Sequence, residues 1–247
     1  MKVIALYSLK GGVGKTTAAV NLAHLSSLSG ARTLVWDLDP QGSASFYFRI
    51  DDRVKGGRKA LCREEMLQAA IRGSNYELLD LLPADLSYRN MEIALDSKGR
   101  QNNLISSVIN AVQCDYDFLF LDCPPGLSRL SEAVFTHADL VLVPSIPTIL
   151  SMRTLKRISD FRKKRGLTES TMRAFFSLVD RRKRMHNAWV GRIDQMRPLM
   201  LSAQIPALSE VELMGEYRSP LTAFRPKSRV SAEFRKLWRE MMELWYG

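Results

Sequence analysis

The sequence predicts an α/β fold: a doubly wound, mostly parallel sheet flanked by helices. Three observations point there. Short apolar runs alternate with helical patterns almost from end to end, several of those runs are apolar at every position, and no Pro/Gly linker divides the chain. Strands buried on both faces of a parallel sheet read as continuous apolar runs, whereas half-exposed strands alternate. Alternation of strand and helix is the pattern of doubly wound sheets. The 247 residues are therefore expected to form a single domain over 1–247, with a basic portion from 151 to 247.

Taken in order, strands are expected at Lys2–Tyr7, Thr33–Leu38, Leu78–Leu82, Phe118–Leu121, Leu140–Val143 and Arg173–Val179. Helical spacing covers 15–29, 60–72, 101–113, 127–137, 149–165 and 186–201, and a last helix runs from 229 to 245. Gly30 stands where a helix ends in a left-handed residue, and Ser228 or Ser231 suits the start of the last helix. The polar stretch Asp51–Lys59, with Gly56-Gly57, reads as a mobile surface loop.

Composition excludes several classes. With 46% hydrophobic and 25% charged residues, the chain is neither disordered nor fibrous. Cys62, Cys114 and Cys123 form no C-x-x-C pair, which argues for a reducing compartment and against a zinc or iron–sulfur centre. His24, His137 and His186 lack partners at ligand spacing and are expected to be structural. The apolar start Val3-Ile4-Ala5-Leu6-Tyr7 is too short for a signal peptide, and no run is long enough to span a membrane. A cytoplasmic protein is expected. Charge is uneven: residues 1–150 hold 15 Lys and Arg against 16 Asp and Glu, whereas 151–247 hold 21 against 10. A basic segment of that kind suits a polyanion, either nucleic acid or an anionic membrane.

The first strand leads into Lys10-Gly11-Gly12-Val13-Gly14-Lys15-Thr16-Thr17, which opens a helix. Glycines let main-chain N–H groups converge on phosphate oxygens, and the helix dipole adds favourable potential. In this setting Lys15 reaches the β- and γ-phosphates and the Thr16 hydroxyl suits Mg²⁺. The strict phosphate-loop pattern asks for glycine where this chain has Leu9, but Gly11 and Gly12 keep the turn permissive. Two further segments follow strands: Asp37-Leu38-Asp39-Pro40-Gln41-Gly42 and Asp122-Cys123-Pro124-Pro125-Gly126. Carboxylates at the carboxyl ends of parallel strands lie where such sheets bind ligands. Asp122 is suited to hold the metal and Asp39 to orient water.

These three motifs, together with Leu82-Pro83-Ala84, Val143-Pro144 and Val179-Asp180-Arg181-Arg182, resemble the ParA/MinD family of deviant Walker ATPases, its ParA branch in particular. The resemblance implies ATP and Mg²⁺ as cofactors and an ATP-bound homodimer. It implies catalytic roles for Lys10, Lys15 and Asp39, with Lys10 reaching the partner subunit's phosphates. It implies a nucleotide site from Lys10 through Thr17, with Asp180 and Pro206 at the base, and Thr16, Asp39 and Asp122 at the metal. ParA-type members bind DNA without sequence preference and position a cargo. Their hydrolysis is stimulated by an adaptor of ParB type, often through a basic N-terminal peptide. MinD-type members sit on membrane through a terminal amphipathic helix.

Both surfaces have candidates here. Arg153, Lys156 and Arg157 share a predicted helix with Lys163 and Lys164. Arg181, Arg182, Lys183 and Arg184 follow a strand. Arg225, Lys227 and Arg229 form a third cluster near Arg235 and Lys236. Together they would neutralise several phosphates of non-specific DNA without reading bases, and no helix-turn-helix or zinc finger appears. The stripe Phe234, Leu237, Trp238, Met241, Leu244 and Trp245 suits either a membrane or core packing, and core packing is preferred. A membrane partner is therefore not expected, and nucleoid association is. One departure stands out: Ile205-Pro206-Ala207-Leu208-Ser209-Glu210 lacks the arginine many ParA proteins carry after Ile-Pro, which removes a familiar DNA contact. A metabolic P-loop ligase is the weaker alternative, and the missing paired cysteines exclude an iron–sulfur reductase.

Overall fold

The computed structural model describes residues 1–90 and 103–246. Among these residues, eight strands form one sheet in the order β3-β4-β2-β5-β1-β6-β7-β8. They are β1 Lys2–Leu6, β2 Thr33–Asp37, β3 Arg72–Gly73, β4 Leu79–Leu82, β5 Phe118–Asp122, β6 Leu140–Ser145, β7 Thr171–Val179 and β8 Met200–Pro206. All pairings are parallel except that of the short edge strand β3 with β4. The α-helices among the described residues are α1 Lys15–Leu28, α2 Ser43–Tyr47, α3 Glu64–Ala70, α4 Asn103–Val112, α5 Arg129–His137, α6 Ile149–Lys164, α7 Arg184–Val190, α8 Leu213–Tyr217, α9 Leu221–Phe224 and α10 Arg229–Tyr246.

Continuous apolar strands lie here between two cores. In β1, Val3 and Ala5 face one core while Ile4 and Leu6 face the other; in β5, Leu119 and Leu121 oppose Phe118 and Phe120. Period-two alternation thus buries every residue of β2, β5 and β6 and all of β1 but Lys2. One core is covered by α3 to α6, the other by α1, α2 and α8 to α10. The chain steps outward from β1 on both sides, leaving a crevice at the carboxyl ends of the central strands, where open α/β sheets bind ligands.

The expected strands all form, with ends shifted by up to two residues. Gly30 is left-handed at φ +87° and closes α1. Ser228 rather than Ser231 starts α10, its Oγ accepting the Ser231 N–H at 3.1 Å. The expected helix over 60–72 is shorter: a 3₁₀ turn covers Gly57–Cys62, α3 spans Glu64–Ala70, and Arg72 already belongs to β3. Residues 101–102 of another expected helix lie outside the described residues.

Two expectations are corrected. The helix over 186–201 breaks up: α7 ends at Val190, a 3₁₀ turn covers Ile193–Met196, and β8 begins at Met200. Met185, Trp189, Ile193, Met196 and Met200 carry helical spacing, but Gly191 ends α7 and Pro198 has no N–H to continue a helix. The Asp51–Lys59 stretch is pinned rather than free. Val54 N–H donates to Asp85 Oδ2 at 3.0 Å, and Arg58 N–H donates to Ser87 Oγ at 2.8 Å.

Candidate nucleotide site

The register of the central strands builds the site. Leu6 of β1, Asp37 of β2 and Asp122 of β5 stand in one row at the carboxyl ends. The turn leaving β1 carries Gly12 at φ +69° and Gly14 at φ +92°, and α1 begins at Lys15. Gly14 is required twice over: its backbone is left-handed, and a Cβ there would stand 2.9 Å from Ser177 Oγ of β7. No side chain caps α1, so its first N–H groups point free from the turn. Lys10 is exposed at the mouth of the turn, Val13 and Lys15 are buried, and Thr16 and Thr17 are half-buried.

Asp122 is fully buried, and neither carboxylate oxygen has a hydrogen-bond partner among the described residues. Burial raises its pKa well above the usual carboxylate range, the Asp37 charge raises it further, and the Thr16 hydroxyl and Lys15 ammonium pull it back. Asp37 is also fully buried. Its Oδ2 accepts Ser45 N–H and Oγ–H, both at 2.8 Å, while Oδ1 has no partner. Burial pushes the Asp37 carboxyl up to about 6, against the opposing pull of Ser45. Ser45 Oγ in turn accepts the Ala84 N–H at 3.0 Å, binding the Leu82-Pro83-Ala84 segment to this row. Asp39 lies one turn outside, half-buried, its Oδ1 accepting the Gln41 N–H at 3.0 Å.

Three buried carboxylate oxygens without donors mark a place for a cation. Among the described residues no three His, Cys, Asp or Glu side chains converge. A cation held here would therefore need phosphate oxygens to complete its shell, which is how Mg²⁺ is commonly bound. Asp122, Asp37 and the Thr16 hydroxyl fit that role. The sequence motifs point to Thr16, Asp39 and Asp122 at the metal and assign no role to Asp37, Ser45 or Ser177. The available signal is Asp37 itself, a carboxylate that ends an apolar strand as Asp122 does.

A sequence profile described as an AAA domain matches residues 1–171. The chain belongs to the ParA/MinD family of P-loop ATPases. It is 34% identical over 145 residues to the sporulation initiation inhibitor protein Soj of Bacillus subtilis, and 32% over 145 residues to the chromosome partitioning protein ParA of Myxococcus xanthus. Those matches cover 58% of this chain, and the chain spans 57% and 51% of the two proteins. A ParA family protein of Chlamydia pneumoniae is 28% identical over 253 residues, covering 99% of this chain and 98% of that one. In fold, a plasmid partition protein of Borrelia burgdorferi bound to AMPPNP matches with a TM-score of 0.83 at 21% identity, covering 98% of each chain. Cobyrinic acid a,c-diamide synthase of Mycobacterium smegmatis, with an ATP analogue and magnesium, matches at 0.81 and 24% identity, covering 100% of this chain and 96% of that one.

Within this family member, Asp180 and Pro206 come together at the ends of β7 and β8, where Val179 pairs with Pro206. They line a groove of about 670 Å³ with Arg181, Arg182, Gln204 and Arg229. Arg182 grips Asp180 through Nε and Nη2, both at 2.9 Å, and holds its carboxyl down to about 2. That guanidinium is thus neutralised locally. Arg181 donates to Gln204 Oε1 at 2.5 Å. The second and third basic clusters therefore meet at this groove. Lys183, Arg184, Arg225 and Lys227 are exposed beside it in sequence, and Arg153, Lys156 and Arg157 are exposed along α6. His24 Nδ1 bonds Thr222 Oγ1 at 2.8 Å, and His186 Nδ1 accepts the Asp180 N–H at 3.0 Å, so both are structural. Buried Phe234, Leu237, Trp238 and Met241 place the apolar stripe of α10 against the sheet and α1. No helix among the described residues is long and apolar enough to cross a membrane.

Proposed function

We propose that the chain is a single-domain, ParA-like positioning ATPase that binds ATP with Mg²⁺, dimerises on it, rests on DNA without sequence preference and releases when a cargo-bound partner stimulates hydrolysis. The observation that carries this reading is the fully buried Asp122 with both oxygens unpaired, directly below a glycine turn. Main-chain N–H groups of Gly11 to Gly14, with Lys15, would grip the β- and γ-phosphates. Thr16, Asp122 and Asp37 would hold Mg²⁺, which when bound neutralises charge on the phosphates. Asp39, outside that row, would hold the attacking water. Exposed Lys10 would reach the partner copy's phosphates and stabilise charge developing there. Asp180 and Pro206 would flank the base.

Relatives named as partitioning proteins support the positioning role, and the C-terminal charge excess supports a polyanion surface. The cargo adaptor would be of ParB type or a functional equivalent. The apolar stripe of α10 is spent on packing, which favours DNA over membrane. Gel retardation of a random-sequence duplex with ATP, ADP or no nucleotide tests the reading at low salt. ATP-dependent retardation is expected; liposome flotation without retardation would replace DNA with membrane. Lys10→Ala is expected to keep nucleotide affinity and lower partner-stimulated turnover by about 10²-fold or more, measured by phosphate release. Unchanged turnover in that variant removes the role in the partner's site.

A further inference from the structure

One turn after Thr16 and Thr17, α1 carries Asn21, which is fully buried. Asparagine suits a helix interior poorly, because its amide competes with the backbone, so its presence there calls for a reason. Its Nδ2 donates to Thr17 O at 2.8 Å, and its Oδ1 accepts the Thr222 N–H at 2.9 Å. That N–H lies in the first turn of α9, whose own N-cap, Pro220, offers no side-chain acceptor. Asn21 therefore joins the turn that bears the candidate phosphate ligands to a segment 201 residues later. His24, one turn further along α1, bonds the Thr222 hydroxyl on the same segment.

The segment is held at its other end by α2, which begins directly after the Asp39–Gly42 turn. Arg49 donates to Tyr217 O at 2.8 Å and Arg218 O at 3.3 Å. Arg218 donates to Phe46 O at 3.1 Å, with its guanidinium 4.6 Å from the Phe46 ring centre. Each arginine closes the end of the other's helix. Both have left-handed backbones, at φ +59° and +45°, a region that residues with a side chain rarely occupy. Stacked rings of Tyr217 and Phe224, 4.7 Å apart, tie α8 to α9. Beyond α9 the chain runs into Arg225, Lys227 and Arg229. Arg225 N–H is bonded to Leu221 O, and Arg225 O accepts the Ser231 hydroxyl, both at 2.8 Å.

We infer that residues 213–224 form a transmission element that touches both walls of the nucleotide site, through Asn21 and through the Arg49–Arg218 clasp, and sets the position of the basic turn 225–229. Asn21, Arg49 and Arg218 are positioning residues. A ligand shifts a conformation only where its contacts differ between states; the Asn21 connection begins one turn from Thr16 and Thr17, and the clasp begins at α2, whose Ser45 is bonded to Asp37. The inference rests on the nucleotide site proposed above and adds the route by which its occupancy reaches the polyanion surface.

Hydrogen exchange on the full chain, saturated with AMPPNP–Mg²⁺ or ADP–Mg²⁺, tests it without relying on DNA. Amides of 213–229 are expected to differ by about fivefold or more between the two nucleotides in the wild type, and by less than about twofold in Asn21→Leu and in Arg49→Ala, with AMPPNP affinity kept within about threefold. Arg49 is exposed, so its variant is not expected to unfold should Asn21→Leu do so. A wild type that binds both nucleotides with unchanged exchange in 213–229 overturns the inference alone. Variants that keep the full difference, or lose it only by losing nucleotide, overturn it too. Retardation on the same samples separates the two proposals: a segment that responds to AMPPNP in a protein that ignores DNA leaves the transmission intact and defeats the DNA reading.

Discussion

At Gly14, backbone conformation and space act together. Alanine there meets a left-handed φ of +92° and a hydroxyl at 2.9 Å. The conformational cost alone is about 1–2 kcal/mol. Gly14→Ala is therefore expected to weaken ATP at least about tenfold in a fluorescent-nucleotide titration, and Ser177→Ala should not restore it, because removing the hydroxyl leaves φ unchanged. Asp122 gives the second test at this scale. Its pKa and that of Asp37 are raised by burial, so between about pH 4 and 6 the nucleotide-free native state holds protons that the unfolded chain has released. Stability from this pair is fully present below about 4 and is lost as pH rises through about 6 for Asp37, with the raised Asp122 acting in the same direction. Asp122→Asn is expected to flatten that slope in thermal melts and to raise nucleotide-free stability at pH 7.5 by about 1–3 kcal/mol. The same variant should lose the Mg²⁺-dependent gain on adding ATP. Asp122 was legible in the sequence as a carboxylate ending an apolar strand. The partnership of Asp37 with Ser45 was not, because it depends on how the chain turns after β2.

Among the elements, β8 is one that apolar spacing concealed. Its neighbours carry continuous apolar runs, but Met200 falls in phase with the helical series before it, so the strand merged with that pattern. As an edge strand it needs partners for its outward N–H groups, and α10 supplies them. Glu240 accepts from Ser202 N–H at 2.9 Å and Ala203 N–H at 3.2 Å, Glu233 accepts from Gln204 N–H at 2.8 Å, and Lys236 donates to Ser202 O at 3.2 Å. Positions 233, 236 and 240 share one helical face, so a helix takes the place of a missing strand. Glu240→Ala is expected to cost about 1–3 kcal/mol in urea unfolding and to introduce concentration-dependent aggregation in light scattering. Unchanged stability without association would show that this edge needs no cover. The stripe on α10 was readable as amphipathic, but only contact with Phe118 and Phe120 of β5, through Trp238, assigns it to the core.

Over the whole molecule, the charge split was legible from counting alone, whereas the pairing of individual cations was not. Arg182 belongs to the densest basic run, yet it spends its charge on Asp180. Binding of a DNA duplex should therefore fall with salt at a log–log slope of about −5 or steeper, the mark of six or more phosphates neutralised. Arg182→Ala should leave that slope nearly unchanged, while joint replacement of Arg225, Lys227 and Arg229 by alanine should reduce it by about 2–3, as followed by fluorescence anisotropy across a salt series. A slope near zero would mean that the basic portion serves some other purpose. The glutamates that close β8 carry a further consequence. A helix that lends itself to an outside surface must first come loose, and here loosening would uncover the rim of the sheet along with the aromatic interior. The final helix is thereby committed to the sheet it closes, as structural timber.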